Sequence, residues 1–363
     1  MLPANLISSD GHVYEPPDLW TSRIAVAFKE RAPRIVERED GDWWFCEGNS
    51  LVGTGVGAQT GRRFTKPKKL TLEDKFANVR RGAFDPLARV KDMETDGIWA
   101  EVIYPTAGRA VYSGVLDSLL LTAICSAYNT WLADFCSVQP KRYKGIAMIN
   151  IDDVGEALKQ LKLAHKTGLA GVMIPVFPAD GKPYDSPDYE PFWALTEDLG
   201  IPVSLHTGTS RRSPGQPYAD STKAKPSMIA TRDYRIRVSL ADLIFSGVFE
   251  RHPKLMVGSI EHELGWIPSF LERMDYTYTQ GIYRKHWQRF KGAALPSDFF
   301  HRNIFCKLPA RRHRYPRAQS HRRQRPCLGL RLPASGGHFP KEPRYPREDS
   351  PGRAGCRGDK DLE

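Results

Sequence analysis

Leu6-Ile7-Ser8-Ser9-Asp10-Gly11-His12-Val13-Tyr14-Glu15-Pro16 runs from an apolar pair into an acid and an imidazole one residue apart. The apolar pair reads as a short strand. On a strand, residues i and i+2 share a face, so Asp10 and His12 project together beside its carboxyl end. A carboxylate oxygen and an imidazole nitrogen are good ligands for a hard-to-borderline divalent ion. Taken alone, such a pair is more often a turn cap beside a satisfied surface histidine. The rest of the chain has to decide between the two.

From Asp85 onward the pattern becomes rhythmic. Asp85-Pro86 starts a helix through Met93 that stops at Gly97. A strand follows from Ala100 to Tyr104, then a helical region from Ser118 to Val138. Gly145–Ile151 reads as a strand, Val154–Thr167 as a helix closed by Gly168, and Gly171–Val176 as the next strand. A helix over Asp188–Leu199 closes at Gly200 and precedes the strand Val203–Leu205. Ser227–Phe249 is helix-rich, Leu255–Ile260 a strand, Trp266–Tyr276 a helix and Asn303–Cys306 a strand. Short apolar strands separated by helices indicate βα units on a parallel sheet. With the first strand, the pattern supplies seven strands before it stops, where a (β/α)₈ TIM barrel has eight. A doubly wound sheet fits the alternation too, but its Gly-rich turn after the first strand is absent. Polar residues at several strand ends favour the barrel.

Those strand ends line up. Asp10 and His12 follow the first strand, His206 ends Val203-Ser204-Leu205, and His262 follows Val257-Gly258-Ser259-Ile260-Glu261. In a barrel all strand ends converge on one face, so residues far apart in sequence can share one ion. Each histidine alone reads as a cap or a hydrogen-bonded core group. Three at strand ends, joined by Asp10, point to a metal site.

Ser9-Asp10-Gly11-His12-Val13-Tyr14-Glu15-Pro16, Leu205-His206-Thr207-Gly208 and Glu261-His262-Glu263-Leu264-Gly265-Trp266-Ile267-Pro268 resemble the amidohydrolase superfamily. The branch most resembled contains aminocarboxymuconate semialdehyde decarboxylase and related aromatic-acid decarboxylases. His252-Pro253-Lys254-Leu255 resembles it too, and the likeness runs from about residue 5 to Cys306. The resemblance implies a divalent metal, zinc or manganese, in a barrel mouth. It implies Asp10, His12 and His206 as metal ligands and His262 as the catalytic acid/base. The family often has H-x-H where this chain has Asp10-Gly11-His12. The implied activity is a carboxy-lyase acting on a small carboxylate; a metal-dependent hydrolase of C–N or ester bonds is the alternative. Arg89 and the pair Arg211-Arg212 are candidates to pair with a substrate carboxylate, against a plainer reading as surface charges. The resemblance also implies a homodimer or larger assembly.

The expected organisation is a barrel domain over residues 1–306, with an irregular insertion over 13–84, and a separate tail over 307–363. Within the insertion, Trp43-Trp44-Phe45 reads as a small strand. Gly53–Gly61 is a Gly-rich loop without a P-loop Lys-Ser/Thr, and Lys66–Lys69 is a solvated basic cluster. There is no signal-peptide pattern and no apolar run near the roughly 18 residues of a membrane span. Six scattered cysteines without a CxxC pair suit a reduced, cytoplasmic protein.

The net charge of +11 is concentrated after Cys306: residues 307–363 hold fifteen Lys and Arg against six Asp and Glu. A nucleic-acid binder would rest on this tail alone, which carries no aromatic platform or known motif. The tail has no Ile, Val, Met or Trp, too little apolar surface to fold, and is expected to be disordered. It reads as a frameshift. Codons that encode Cys327-Leu328-Gly329-Leu330-Arg331-Leu332-Pro333-Ala334-Ser335 can, shifted by one base, spell Trp-Gly-Ser-Asp-Tyr-Pro-His. That resembles the family's eighth strand end with its ligand Asp. The same shift turns Lys307-Leu308-Pro309 into Ser-Phe-Gln. Without the eighth strand the barrel stays open, and an inactive frameshift product is a further alternative.

Overall fold

Between β-branched apolar runs and Gly-terminated helices, the described residues build ten strands. The computed structural model describes residues 6–59, 71–179, 182–218 and 224–307. In chain order they are β1 (Leu6–His12), β2 (Arg34–Arg38), β3 (Gly41–Cys46), β4 (Asn49–Gly53), β5 (Ile98–Tyr104), β6 (Tyr143–Met148), β7 (Gly171–Ile174), β8 (Val203–His206), β9 (Val257–Ile260) and β10 (Ile304–Lys307). Seven form one curled parallel sheet in the order β1-β5-β6-β7-β8-β9-β10. Every residue of β7, β8 and β9 is buried, as expected for parallel strands covered on both faces. This is the open barrel expected from the sequence. Among the described residues, β1 and β10 each have a single strand neighbour. Apart from Lys307, which ends β10, the tail, and with it the frame-slip reading, lies outside the described residues.

The crossovers are the helices the patterning predicts. Ser118–Ser137 links β5 to β6, Val154–Lys166 links β6 to β7, and Glu190–Asp198 links β7 to β8. Acids cap the first two of these helices and the helix Pro86–Thr95. Asp85 accepts from the Leu87 and Ala88 amides, Asp117 from Leu119 and Leu120, and Asp153 from Glu156, each satisfying amides that the first turn leaves free. Gly168 and Gly200 end their helices at φ of 79° and 63°, the left-handed geometry that stops a helix. Asp233–Phe245 and Ile267–Gln280 follow β8 and β9. Outside the insertion, two short helices among the described residues were not foreseen: Ala107–Gly114 after β5 and Pro296–Asn303 before β10. No described helix is long and apolar enough to cross a membrane.

The reading of 13–84 as irregular needs correction. β2, β3 and β4 form an antiparallel sheet, of which only the Trp43-Trp44-Phe45 strand was foreseen. The β3–β4 hairpin turns through Glu47 and Gly48 at φ of 48° and 78°. Two left-handed residues are what a tight hairpin asks for, but Asn or Asp normally fills the first place, so the sequence carries a weak turn signal. Trp44 is fully buried and meets Trp20 edge-on at 4.9 Å. Trp20 Nε1 in turn donates to the Ile124 carbonyl at 3.2 Å, tying the insertion to a barrel helix. The described part of the Gly-rich loop also has a packing explanation. A Cβ on Gly55 would lie 2.5 Å from the Leu72 carbonyl carbon. Lys66–Lys69 lies outside the described residues.

Candidate metal centre

β1 ends on Asp10 and His12, and a register shift against β5 falls between Ser8 and Gly11. His12 Nδ1 lies 2.8 Å from the Pro105 carbonyl. A carbonyl only accepts, so Nδ1 carries the proton and Nε2 keeps its lone pair. The same logic holds at the end of β8. His206 Nδ1 lies 3.0 Å from the Thr207 carbonyl, which leaves Nε2 as an acceptor. Both Nε2 atoms face Asp10 Oδ1, at 3.3 Å for His12 and 3.5 Å for His206. Glu261, just past β9, brings Oε2 to 4.0 Å from His206 Nε2. One donor atom from each of Asp10, His12, His206 and Glu261 falls within 4.8 Å of the others.

Asp10 Oδ1, His12 Nε2 and His206 Nε2 are sealed from solvent and have no hydrogen-bond partner among the described residues. Three lone-pair atoms facing one another without a donor is an unfavourable arrangement, because buried acceptors lose their water. A divalent cation resolves it, and two imidazoles with two carboxylates suit zinc or manganese. Burial first, and then the Arg109 charge, holds His12 down to about 4 and His206 well below the usual imidazole value. Both rings are thus neutral, the form that binds metal. Tyr104 supports the pair: its ring lies 5.1 Å from His206 and 6.0 Å from His12, and its hydroxyl meets Ser204 Oγ at 2.9 Å. Asp10 Oδ2 pairs with the Lys307 ammonium on β10.

The structure therefore brings together Asp10, His12 and His206, and adds Glu261. Sequence reading quoted Glu261 only as the residue before His262; its strand-end position was the available signal. His262 stands next to the cluster without joining its donor set. It is buried, and its Nδ1 shares a 3.3 Å hydrogen bond with Ser259 Oγ. Its carbonyl accepts from Trp266 Nε1 at 2.9 Å. Glu261 and Glu263 on either side have φ of 62° and 61°, a left-handed backbone uncommon for non-glycine residues. Burial lowers the His262 ring to about 3. His252 of the His252-Pro253 motif is structural: it lies 2.8 Å from Glu190 Oε1 and 3.2 Å from Glu197 Oε2.

The arginines singled out from the sequence are already engaged. Arg89 is buried and donates to Glu101 at 2.7 Å. Arg211 is buried and grips Asp152 through Nε at 3.0 Å and Nη2 at 2.6 Å. Arg212 donates to the Ser113 and Gln216 carbonyls at 3.1 and 2.7 Å. Reading them as surface charges is wrong for Arg89 and Arg211, whose partners are distant in sequence. The arginine at the cluster is Arg109, on the unforeseen helix Ala107–Gly114. Its Nη1 donates to Glu261 Oε2 at 3.3 Å and lies 3.3 Å from His206 Nδ1.

An amidohydrolase family model matches residues 10–310. The gamma-resorcylate decarboxylase of Rhizobium sp. (strain MTP-10005) is 26% identical over 228 residues, 60% of this chain and 66% of that protein. The gamma-resorcylate decarboxylase of Rhodococcus jostii (strain RHA1) is 29% identical over 160 residues, 41% of this chain and 47% of that one. These matches span less than two thirds of the relatives' lengths. Among solved structures, an amidohydrolase from Mycobacterium avium subsp. paratuberculosis K-10 superposes with a TM-score of 0.67 at 19% identity, covering 85% of this chain and 83% of that one. A 5-carboxyvanillate decarboxylase from Novosphingobium aromaticivorans, complexed with manganese and 4-hydroxy-3-methoxy-5-nitrobenzoic acid, gives 0.55 at 18% identity, covering 84% and 79%. At these identities the structural likeness establishes the shared barrel fold.

Proposed function

The chain belongs to the amidohydrolase family, and from that footing we propose that it is a divalent-metal-dependent carboxy-lyase that removes CO₂ from a small aromatic carboxylate. One observation carries the reading: the sealed, partnerless donor atoms of Asp10, His12 and His206, with Glu261 completing the set within 4.8 Å. The reading is supported by relatives named as gamma-resorcylate decarboxylases and by a fold neighbour solved with manganese and a hydroxylated nitrobenzoic acid. Asp10, His12, His206 and Glu261 would hold zinc or manganese. The bound ion supplies Lewis-acid polarisation of a substrate oxygen.

The chain's own groups do the rest. His262, buried beside the cluster and fixed by Ser259 and the Trp266 indole, is the acid/base. Its ring, neutral in the empty site, takes up a proton once the anionic substrate is bound and passes it to the ring carbon as the carbon–carbon bond to the carboxylate breaks. A carboxylate and one proton become an arene and CO₂. The reading includes residues 1–306 as the catalytic domain and 307–363 as a frame-slipped segment in place of the eighth strand and its Asp. Its setting is the cytoplasm, where the thiols of Cys46, Cys125 and Cys136 stay reduced. Its assembly is a homodimer, and neither nucleic acid nor membrane is a partner.

The test is metal content after chelation and reloading with Mn²⁺ or Zn²⁺, followed by turnover of 2,6-dihydroxybenzoate and related hydroxybenzoates in D₂O. About one ion per chain, CO₂ release and deuterium at the vacated ring carbon are expected. A frame-restored chain should bind the ion more tightly. Absence of bound metal from both chains, or an alcohol or amine product without CO₂, would overturn the reading.

A further inference from the structure

We propose that Arg109 is the anion anchor of this site, taking the substrate carboxylate in a two-point grip at the rim of the metal cluster. The inference rests on the metal-site reading above and adds the group that recognises the substrate. Three observations carry it.

The first is the mounting. Helix Ala107–Gly114 is clamped at its start by Glu15, whose carboxylate is fully buried and accepts from the Thr106, Ala107 and Gly108 amides at 3.1, 2.9 and 2.9 Å. Thr106 Oγ1 donates to the Val13 carbonyl at 2.7 Å. Further along, the Tyr112 hydroxyl accepts from the Ile149 amide at 3.0 Å and lies 3.0 Å from the Met173 carbonyl, to which it donates. At Gly108 a Cβ would come within 2.7 Å of Met148 Sδ and 3.2 Å of Glu15 Oε1. The helix therefore lies too close to the barrel to shift. Arg109 is carried on a pinned element, as an anchor needs to be.

The second is the unfilled fork. Arg109 Nε is sealed from solvent without a hydrogen-bond partner among the described residues. Nη1 has one acceptor, Glu261 Oε2 at 3.3 Å; the other nearby atom, His206 Nδ1, spends its proton on the Thr207 carbonyl and offers no lone pair. Arg211, in the same barrel mouth, has Nε, Nη1 and Nη2 all engaged. An enclosed N–H left unpaired is costly, and a carboxylate matches the planar fork through two parallel hydrogen bonds.

The third is position. Nη1 stands 3.3 Å from a carboxylate oxygen of the donor cluster. An anion on the Arg109 fork therefore also reaches the site where the ion sits. Because the carboxylate loses its charge as CO₂ departs, this contact is stronger in the bound substrate than in the transition state. Removing the contact should therefore raise KM without lowering kcat.

The experiment uses the full chain loaded with Mn²⁺ and two non-reacting probes, benzoate and phenol, by titration calorimetry. Arg109→Met should weaken benzoate at least 30-fold, leave phenol within about twofold and leave Mn²⁺ affinity within about threefold. Arg109→Lys, which keeps the charge beside Glu261 but not the fork, should weaken benzoate by about 5–10-fold and guards against a folding failure of the Met variant. Where turnover is measurable, KM rises and kcat does not fall. If the wild-type chain takes up no Mn²⁺, the metal reading and this inference fall together. If Mn²⁺ binds and both variants hold benzoate as tightly as wild type, the anchor alone is refuted.

Discussion

Two buried charge clusters sit at the strand ends of this barrel, and they differ in completeness. Around Arg211 everything is paired. Asp152 receives Nε and Nη2, and the Tyr112 and Val115 carbonyls receive Nη1. Around Asp10, His12 and His206, three acceptor atoms face one another with no donor between them. Both clusters are polar, enclosed and built from residues far apart in sequence. The saturated cluster holds the structure together, tying the segment after β8 to the ends of the helix Ala107–Gly114. The unsaturated one is held open for a ligand, and its cost is tolerated because the surrounding structure fixes each group.

The saturated cluster predicts the largest effect. Arg211→Met strands the Asp152 carboxylate and two buried carbonyls, and should lower the unfolding free energy by about 3–5 kcal/mol. Urea unfolding of metal-free protein measures it, and a loss under about 1 kcal/mol would mean that saturation is no guide to structural weight. The unsaturated cluster predicts the opposite split. Asp10→Asn keeps the shape but removes a charge and a ligand, and should weaken Mn²⁺ binding about 100-fold, close to 3 kcal/mol. Its effect on metal-free stability should stay within about 1 kcal/mol. A variant that unfolded as readily as Arg211→Met would erase the distinction.

Which parts of this were legible follows from the range of the interactions involved. The strands and their order needed only apolar runs punctuated by helices, and Gly168 and Gly200 mark helix ends through a purely local rule. His12, His206 and His262 stood out because a strand end is itself a local feature. Glu261 was missed as a donor because its use depends on a left-handed backbone at φ 62° that no neighbouring residue announces. Arg109 was missed because its short helix is stabilised by Glu15, more than ninety positions earlier. Arg211 looked like half of a basic doublet on the surface; its burial is decided by Asp152, 59 positions away. Local chemistry could be read from the sequence, whereas pairing across the barrel could not.

A third charged pair, remote from the metal cluster in its residues, asks whether partners or mere charge set the cost. Asp242 and Asp185 line a cavity of about 410 Å³ together with Phe245, His286 and Trp287. Burial, then the Asp185 charge, pushes the Asp242 carboxyl up to about 6, against about 3.9 in the unfolded chain. Between those values the folded protein holds a proton that the unfolded chain has released. Stability is therefore present below about pH 4 and is lost as pH rises through about 6. A shift of this size in a sealed site would cost about 3 kcal/mol, but Asp242 keeps some exposure, and about 1–2 kcal/mol is expected. Asp242→Asn should accordingly be more stable than the parent by that amount at pH 7.5, with the gap closing by pH 4. Urea unfolding of both chains at pH 4, 5, 6 and 7.5 gives the curve. A gap that does not change with pH would place its cause in packing, and would leave the Arg211 and Asp10 clusters as the only charged sites whose behaviour follows from their partners.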